Sequence, residues 1–497
     1  MLLRSIKEDR SVQIQLVLAI IIGLLLGGTT VYTSPIIVLA AFVTFFLAIL
    51  ILRRPEIAIL GLVVLLSSIL GWESNPRISI GFGSIYVTDV LLFLSLLMII
   101  IRAVTEPDFK LIHTPIDLPL ILFVGFAFLS TFIAIMQYSM TLNESLHEMR
   151  IVAHYLIFFA ATNLLRNDKQ LKFLYHGLIA IATTVAVATL VQYVLGTSTP
   201  FLPGRVEHLQ TEGVTYSSIT RIIPPGYSLM FIIFICLSAY LLFDKLQTRN
   251  WILLLPWALT GMGVIISFKR HLWVAVMVIF AILFYLGRNR DLQRFIAGAI
   301  AIIGIMIVGI IYLYNFTGTT GPNLVESSID RLVSLVQPST YTDPESSLRW
   351  RDFEYEYAFP QISAHPILGL GLGAEYRPWI PPNDWEGFDG RKYIHNGNVW
   401  VLVKGGVLTY LPLLWLVILG IYRGFKYWRS VPESWKRLLV LGFTLSLVGM
   451  FIGSFIEPTW MKESWTALIG ILLGINELLI RIPSNRNLEL GNDLFSS

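Results

Sequence analysis

Fourteen predominantly apolar runs, most close to the roughly 17–25 residues that cross a hydrocarbon core as helix, divide this chain. They fall near 12–28, 35–52, 57–71, 85–103, 117–136, 150–165, 172–195, 226–243, 251–268, 271–287, 294–314, 398–421, 438–456 and 464–480. Connections as short as Arg53-Arg54-Pro55 leave the chain little choice but to turn back. Charged residues make up 14% of the 497, where a soluble chain carries about 25%. The pattern predicts an all-α membrane protein of about 14 transmembrane helices. Residues 1–314 form eleven spans, 315–397 a large external loop containing an amphipathic helix, 398–481 three more spans, and 482–497 a cytoplasmic tail.

Several function classes drop out at this level. There is no Lys/Arg-rich block and no nucleic-acid motif, so nucleic acid is not an expected partner. Cys236 is the sole cysteine, which excludes an intrachain disulfide and a zinc-finger spacing. The first run lacks a small-residue cleavage site and is expected to stay as a span. Basic residues set the orientation: twenty-two lie in one set of alternate loops and six in the short loops of the other. By the positive-inside rule both termini are cytoplasmic and the long loop is external.

A polar stretch of about 80 residues between two spans is long for a connection and implies a task. Its eleven acids and six bases give a net charge of −5. An anionic ligand there needs a local arginine cluster, since arginine's planar fork grips phosphate and keeps its charge. Asp343-Pro344-Glu345 has the composition of a helix start, predicting a helix to about Phe359 with Leu348, Tyr355, Phe359 and Ile362 on one face. Arg349 and Arg351 project to different sides of that helix. Asp352 and Glu356 share a face and form the one candidate carboxylate pair for a divalent metal; no metal or cofactor is expected.

Three further places draw attention. Lys269-Arg270-His271 separates two spans with almost no loop, and reads either as snorkelling cations or as an anion site at the membrane boundary. The outer loop 196–225 brings Arg205, His208, Glu212 and Arg221 ahead of Pro224-Pro225-Gly226, with the spacing of an ordinary polar loop. His395-Asn396 stands at the mouth of the twelfth span, where a histidine is either a hydrogen-bonded bystander or a general base for a hydroxyl.

The run Arg351-xxx-Tyr355-xx-Ala358-x7-Pro366-xx-Gly369-x-Gly371, followed by His395-Asn396 and Gly406, resembles the O-antigen ligase and O-antigen polymerase superfamily. These are bacterial polytopic glycosyltransferases of the GT-C type. Tyr355 stands where that family usually has Trp. Lys269-Arg270 stands where it usually has Ser-Arg, which leaves Arg270 as the matching residue. The likeness covers roughly the C-terminal 300 residues. It implies transfer of a glycan from an undecaprenyl-diphosphate-linked donor to a sugar hydroxyl on a glycan or lipid-core acceptor, at the outer face of the bacterial inner membrane. It also implies that Arg270 and Arg351 hold the diphosphate, that His395 takes the acceptor proton, and that the anomeric carbon inverts without a metal. Arg221, Lys269, Arg349, Tyr355 and Asn396 are the accompanying substrate-binding candidates. Tyr355, Trp379 and Trp385 could stack on sugar rings or anchor at the surface. The alternatives are a polymerase of the same superfamily and a lipid-linked glycan flippase. The flippase would carry ionisable residues inside its spans, and the middles of these spans are nearly free of charge.

Overall fold

The computed structural model describes residues 53–71, 74–80, 83–138, 140–211, 214–243, 252–287, 347–381 and 390–494. Three expected spans (12–28, 35–52 and 294–314), the helix start at Asp343 and Trp385 lie outside these residues. The described helices are α1 (Pro55–Ser67), α2 (Val87–Thr105), α3 (Asp117–Tyr138), α4 (Leu142–Ala153), α5 (Ile157–Leu164), α6 (Asp168–Leu195), α7 (Tyr227–Phe243), α8 (Leu254–Ile266), α9 (Arg270–Leu286), α10 (Ser347–Ala364), α11 (Gly397–Tyr427), α12 (Ser434–Gly453) and α13 (Glu463–Leu494).

Among the described residues six helices are long and apolar enough to cross a membrane, in α2, α3, α6, α11, α12 and α13. Four shorter apolar helices, α1, α7, α8 and α9, accompany them. The protein is a multi-pass, predominantly helical membrane protein. α7 is apolar all round and buried on nearly every side, as a helix without a polar face must be. It packs against α8 and α12, while α13 packs against α5 and α12 and α3 lies along α11.

Two expectations need correction. The span predicted at 150–165 is the second half of a longer helical path that begins at Leu142 and tightens into a 3₁₀ turn at His154–Leu156. Its first half escapes a hydropathy reading because it carries Glu144, Glu148 and Arg150. A capping box starts it, with Glu144 accepting from the Thr141 amide at 2.7 Å, and Arg150 pairs with Asp89 at 2.8 Å. The outer loop 196–225 is also more ordered than a polar loop, within a fold that stays predominantly helical. The loop 196–225 contains the antiparallel hairpin β3 (Arg205–Thr211) and β4 (Val214–Ile223), and β1 (Arg77–Ile80) pairs with β2 (Gly83–Tyr86). Both are short hairpins between helices, below the length that a span-oriented reading detects.

Its proline and glycines make the run Pro366–Gly371 turn-prone by sequence, but it does more than turn. α11 is broken at Gly406, whose φ of 62° is left-handed. A break inside an apolar bundle strands amides and carbonyls that no water can satisfy. The run supplies their partners. Leu370 N donates to Val403 O at 2.9 Å, Gly371 N to Lys404 O at 2.8 Å, and the Val407 and Leu408 amides donate to Pro366 O and Ile367 O. Gly369, at φ 67°, lies so close to the Lys404 backbone that a Cβ would collide with it. Ser130 on α3 donates to both the run and α11. Beneath this staple, Lys404 is fully buried, its ammonium 3.3 Å from Glu148 and bonded to the Ala374 carbonyl. Lys404, within the span predicted at 398–421, is an exception to spans nearly free of charge.

Candidate functional site

α10 runs on past Phe359 to Ala364, through Pro360. Its inward face is not centred on Tyr355 and Phe359; Phe359 is exposed, and Glu354 and Ala358 are buried. An acid occupies the core side because it has a partner there. Glu354 Oε1 lies 2.6 Å from His395 Nδ1, and its Oε2 accepts from the His395 amide at 2.9 Å. Trp350 Nε1 also donates to it, at 3.0 Å. The Glu354 side chain is 2% exposed and that of His395 32%, so the imidazole is anchored by one edge and open at the other. With Nδ1 carrying its proton toward the carboxylate, Nε2 holds the lone pair. Tyr393 packs edge-on against the ring at 4.9 Å, and burial pushes its hydroxyl well above the usual range, so it stays neutral.

Asn396 caps α11, its Oδ1 accepting from the amides of Asn398 and Val399. Its side-chain amide donates to the Tyr355 hydroxyl at 2.9 Å. Tyr355 and Asn396 therefore tie α10 to the start of α11, beside His395. Arg349 is exposed. Arg351 turns inward and donates from Nη2 to the Ile456 carbonyl at 3.1 Å, so the two arginines separate as helical spacing requires.

Ile456 belongs to the α12–α13 connection, which is stitched to α11: the Gly397 amide donates to Ser454 O at 2.8 Å, and Trp460 Nε1 to Asn398 Oδ1 at 3.0 Å. The next residue, Glu457, is buried among four donors. Tyr227 OH at 2.5 Å, Lys269 Nζ at 2.6 Å and Lys462 Nζ at 3.1 Å reach Oε1, and His271 Nε2 reaches Oε2 at 2.7 Å. Burial opposes its charge, but Lys269, Lys462 and His271 together hold the carboxyl well below the usual carboxylate range. Lys269 is thus buried in an ion pair, 4.2 Å over the Tyr227 ring.

Arg270 is half-buried and opens α9 immediately after Lys269. Before it, Phe268 adopts φ 49°, a left-handed conformation uncommon for a bulky residue. The hairpin supports this turn: Leu209 and Phe268 are buried against each other. Arg221 donates to the Ser267 carbonyl at 3.4 Å and pairs with Glu207 at 3.1 Å. Arg221 lies at this turn and Lys269 within it. Asp352 and Glu356 are exposed, on the other side of α10 from Glu354. Among the described residues no three of His, Cys, Asp and Glu gather closely enough to hold a metal.

Residues 255–414 match the family model described as O-antigen ligase. The chain carries an O-antigen ligase domain. The match covers about a third of the chain and supports a membrane enzyme of the O-antigen ligase/polymerase type. The O-antigen ligase domain contains Lys269, Arg270, Arg349, Arg351, Glu354, Tyr355, His395 and Asn396, whereas Arg221 and Glu457 lie outside the matched segment. No curated protein matches the chain.

Two residues at this site, Glu354 and Glu457, are absent from the sequence-based candidates, and they differ in how visible they are. Glu354 looks like its exposed neighbours Asp352 and Glu356, and nothing local marks its burial. Glu457 is a lone acid after the apolar run ending in Phe455-Ile456, and an ionisable group at such a boundary is a signal in itself.

Proposed function

We propose that this protein is a bacterial inner-membrane glycosyltransferase of the ligase type. It takes a glycan from an undecaprenyl-diphosphate carrier and passes it to an acceptor sugar hydroxyl at the outer face, with both termini in the cytoplasm. The observation that carries the reading is the His395–Glu354 pair, anchored at Nδ1 and open on the opposite edge, with Arg351 three residues before Glu354 on the same helix. In the reaction, His395 Nε2 takes the acceptor hydroxyl proton as its oxygen attacks the anomeric carbon from the face opposite the diphosphate. The glycosidic C–O bond breaks, the electron pair leaves with the diphosphate, and the configuration inverts. Arg351 and Arg270 offset the charge that develops on the leaving group. The amides at the start of α9 favour an anion beside Arg270. Glu354 holds the imidazole in its working tautomer and stabilises the imidazolium that forms. No step calls for a metal.

Glycan transfer from a carrier-linked donor in proteoliposomes tests this. His395→Ala is expected to reduce turnover about 10²–10⁴-fold, the range of general acid–base catalysis. Arg351→Ala and Arg270→Ala are expected to reduce it comparably, and a chelator to leave it unchanged. Full activity in the His395 variant removes the assigned base. Abolition by chelator moves the reading to a metal held by Asp352 and Glu356. Products extended by many repeats, in place of one transfer per acceptor, identify a polymerase.

A further inference from the structure

The contacts around Glu457 converge on the surroundings of Arg270. Its two oxygens grip the two chain neighbours of that arginine: Oε1 takes Lys269 at 2.6 Å and Oε2 takes His271 at 2.7 Å. Residues two apart on a regular helix do not face a common point. Here they do because Lys269 is the extended residue before α9, with φ −84° and ψ 98°, and follows Phe268 at φ 49°. One carboxylate thereby fixes the backbone on both sides of Arg270. The residue before Glu457 fixes the other arginine, since Ile456 gives its carbonyl to Arg351 Nη2 at 3.1 Å. The same connection holds the first turn of α11, adjoining His395, through Ser454 and Trp460.

We infer that Glu457 is a positioning residue that sets the spacing of Arg270 and Arg351 for the diphosphate of a polyisoprenyl-linked donor. The inference rests on the diphosphate role proposed above for these two arginines. The connection works as a template: one peptide unit and one side chain, adjacent in sequence, each locate one arginine. Charge supports the assignment. Glu457 is one carboxylate shared by Lys269 and Lys462, so its charge is offset within the cluster and does not stand against an anion beside Arg270. Tyr227 and Trp465 close it from inside, Trp465 Nε1 donating to the Tyr227 hydroxyl at 2.8 Å, which prevents the carboxylate from swinging toward the bundle.

The test is binding of a polyisoprenyl diphosphate, with transfer kinetics, in purified detergent-solubilised protein whose thermal unfolding is measured alongside. Glu457→Gln is expected to weaken diphosphate binding and raise donor KM about tenfold, with a smaller fall in kcat because the displaced arginine also offsets charge on the leaving group. Because the effect runs through Arg270, adding E457Q to Arg270→Ala is expected to cost nothing further. Glu457→Asp, which restores the charge, is expected to recover part of the affinity. Wild-type diphosphate affinity in a folded E457Q protein overturns the inference, as does an additive loss in the double variant. If E457Q fails to insert, His271→Gln opens one half of the grip and keeps the carboxylate, with the same expectation and the same overturning result. Should Arg270→Ala and Arg351→Ala themselves bind diphosphate like the wild type, the diphosphate reading fails and takes this inference with it. Loss in those two with none in E457Q removes the inference alone.

Discussion

Glu354 and Glu457 are both buried carboxylates that meet a histidine, yet their surroundings give them opposite tasks. Glu354 holds one imidazole that is 32% exposed, so its partner has an edge left for a substrate. Glu457 is enclosed by two ammonium groups, a tyrosine and a histidine that is nearly as buried as itself. A carboxylate whose histidine keeps an open edge can tune that histidine's chemistry. A carboxylate saturated by donors from α7, the start of α9 and its own connection fixes geometry. The kind of residue does not separate the two; the ammonium groups around Glu457 and the exposure of the histidine do.

The comparison breaks most readily at Glu354. Replacing it with Gln is expected to lower kcat about 10²–10⁴-fold and leave donor KM nearly unchanged, the reverse of the split expected for E457Q. Steady-state transfer kinetics on both variants read this directly, and identical splits would remove the distinction. Glu148 and Lys404 sharpen it from the structural side, being a buried pair with no exposed edge at all. Glu148→Gln or Lys404→Met leaves one charge uncompensated and is expected to destabilise the fold by about 3–5 kcal/mol. A Glu148→Leu/Lys404→Met double variant is expected to recover much of that in denaturant titration, because no lone charge remains. If the single variants unfold like the wild type, the staple beneath α11 does not depend on that pair.

The glycines of the staple come next. Gly369→Ala forces a Cβ against the Lys404 backbone at a left-handed φ, and is expected to cost about 1–3 kcal/mol, seen as a lower midpoint of thermal unfolding. The smallest expected effect is on acid stability. The Glu457 carboxyl titrates below its ordinary 4.5 in the folded protein. Its contribution is therefore complete above that value and is lost as pH falls from there through the folded pKa. Below about pH 4.5 the wild-type melting temperature is expected to drop more steeply than that of E457Q. Parallel acid limbs would show that the four donors do not keep Glu457 ionised.

Much of the candidate site is legible one residue at a time. His395 at a helix mouth, Arg351 in an aromatic helix and Arg270 between apolar runs stand out because charge beside a membrane is costly and so informative. The separation of Arg349 from Arg351 follows from helical spacing alone. Partners are harder to read. Lys269 has the look of a ligand contact and is bonded to an acid 188 residues away. Tyr355 and Asn396 have the same look and bond to each other. The Pro366–Gly371 run reads as a turn and instead fills the gap in a helix that begins well after it.

What the sequence determined by itself was the kind of molecule. Apolar runs of spanning length and a scarcity of charge leave a chain few ways to satisfy its backbone other than helices in a bilayer, and that constraint acts locally. What only the tertiary structure decided was which charges meet. Ion pairs and helix breaks inside an apolar bundle are tolerated only where a partner arrives from elsewhere in the chain. Pairing Glu354 with His395, Glu457 with the flanks of Arg270, and the 366–371 run with Gly406 depends on how the helices assemble, which no single stretch of sequence records.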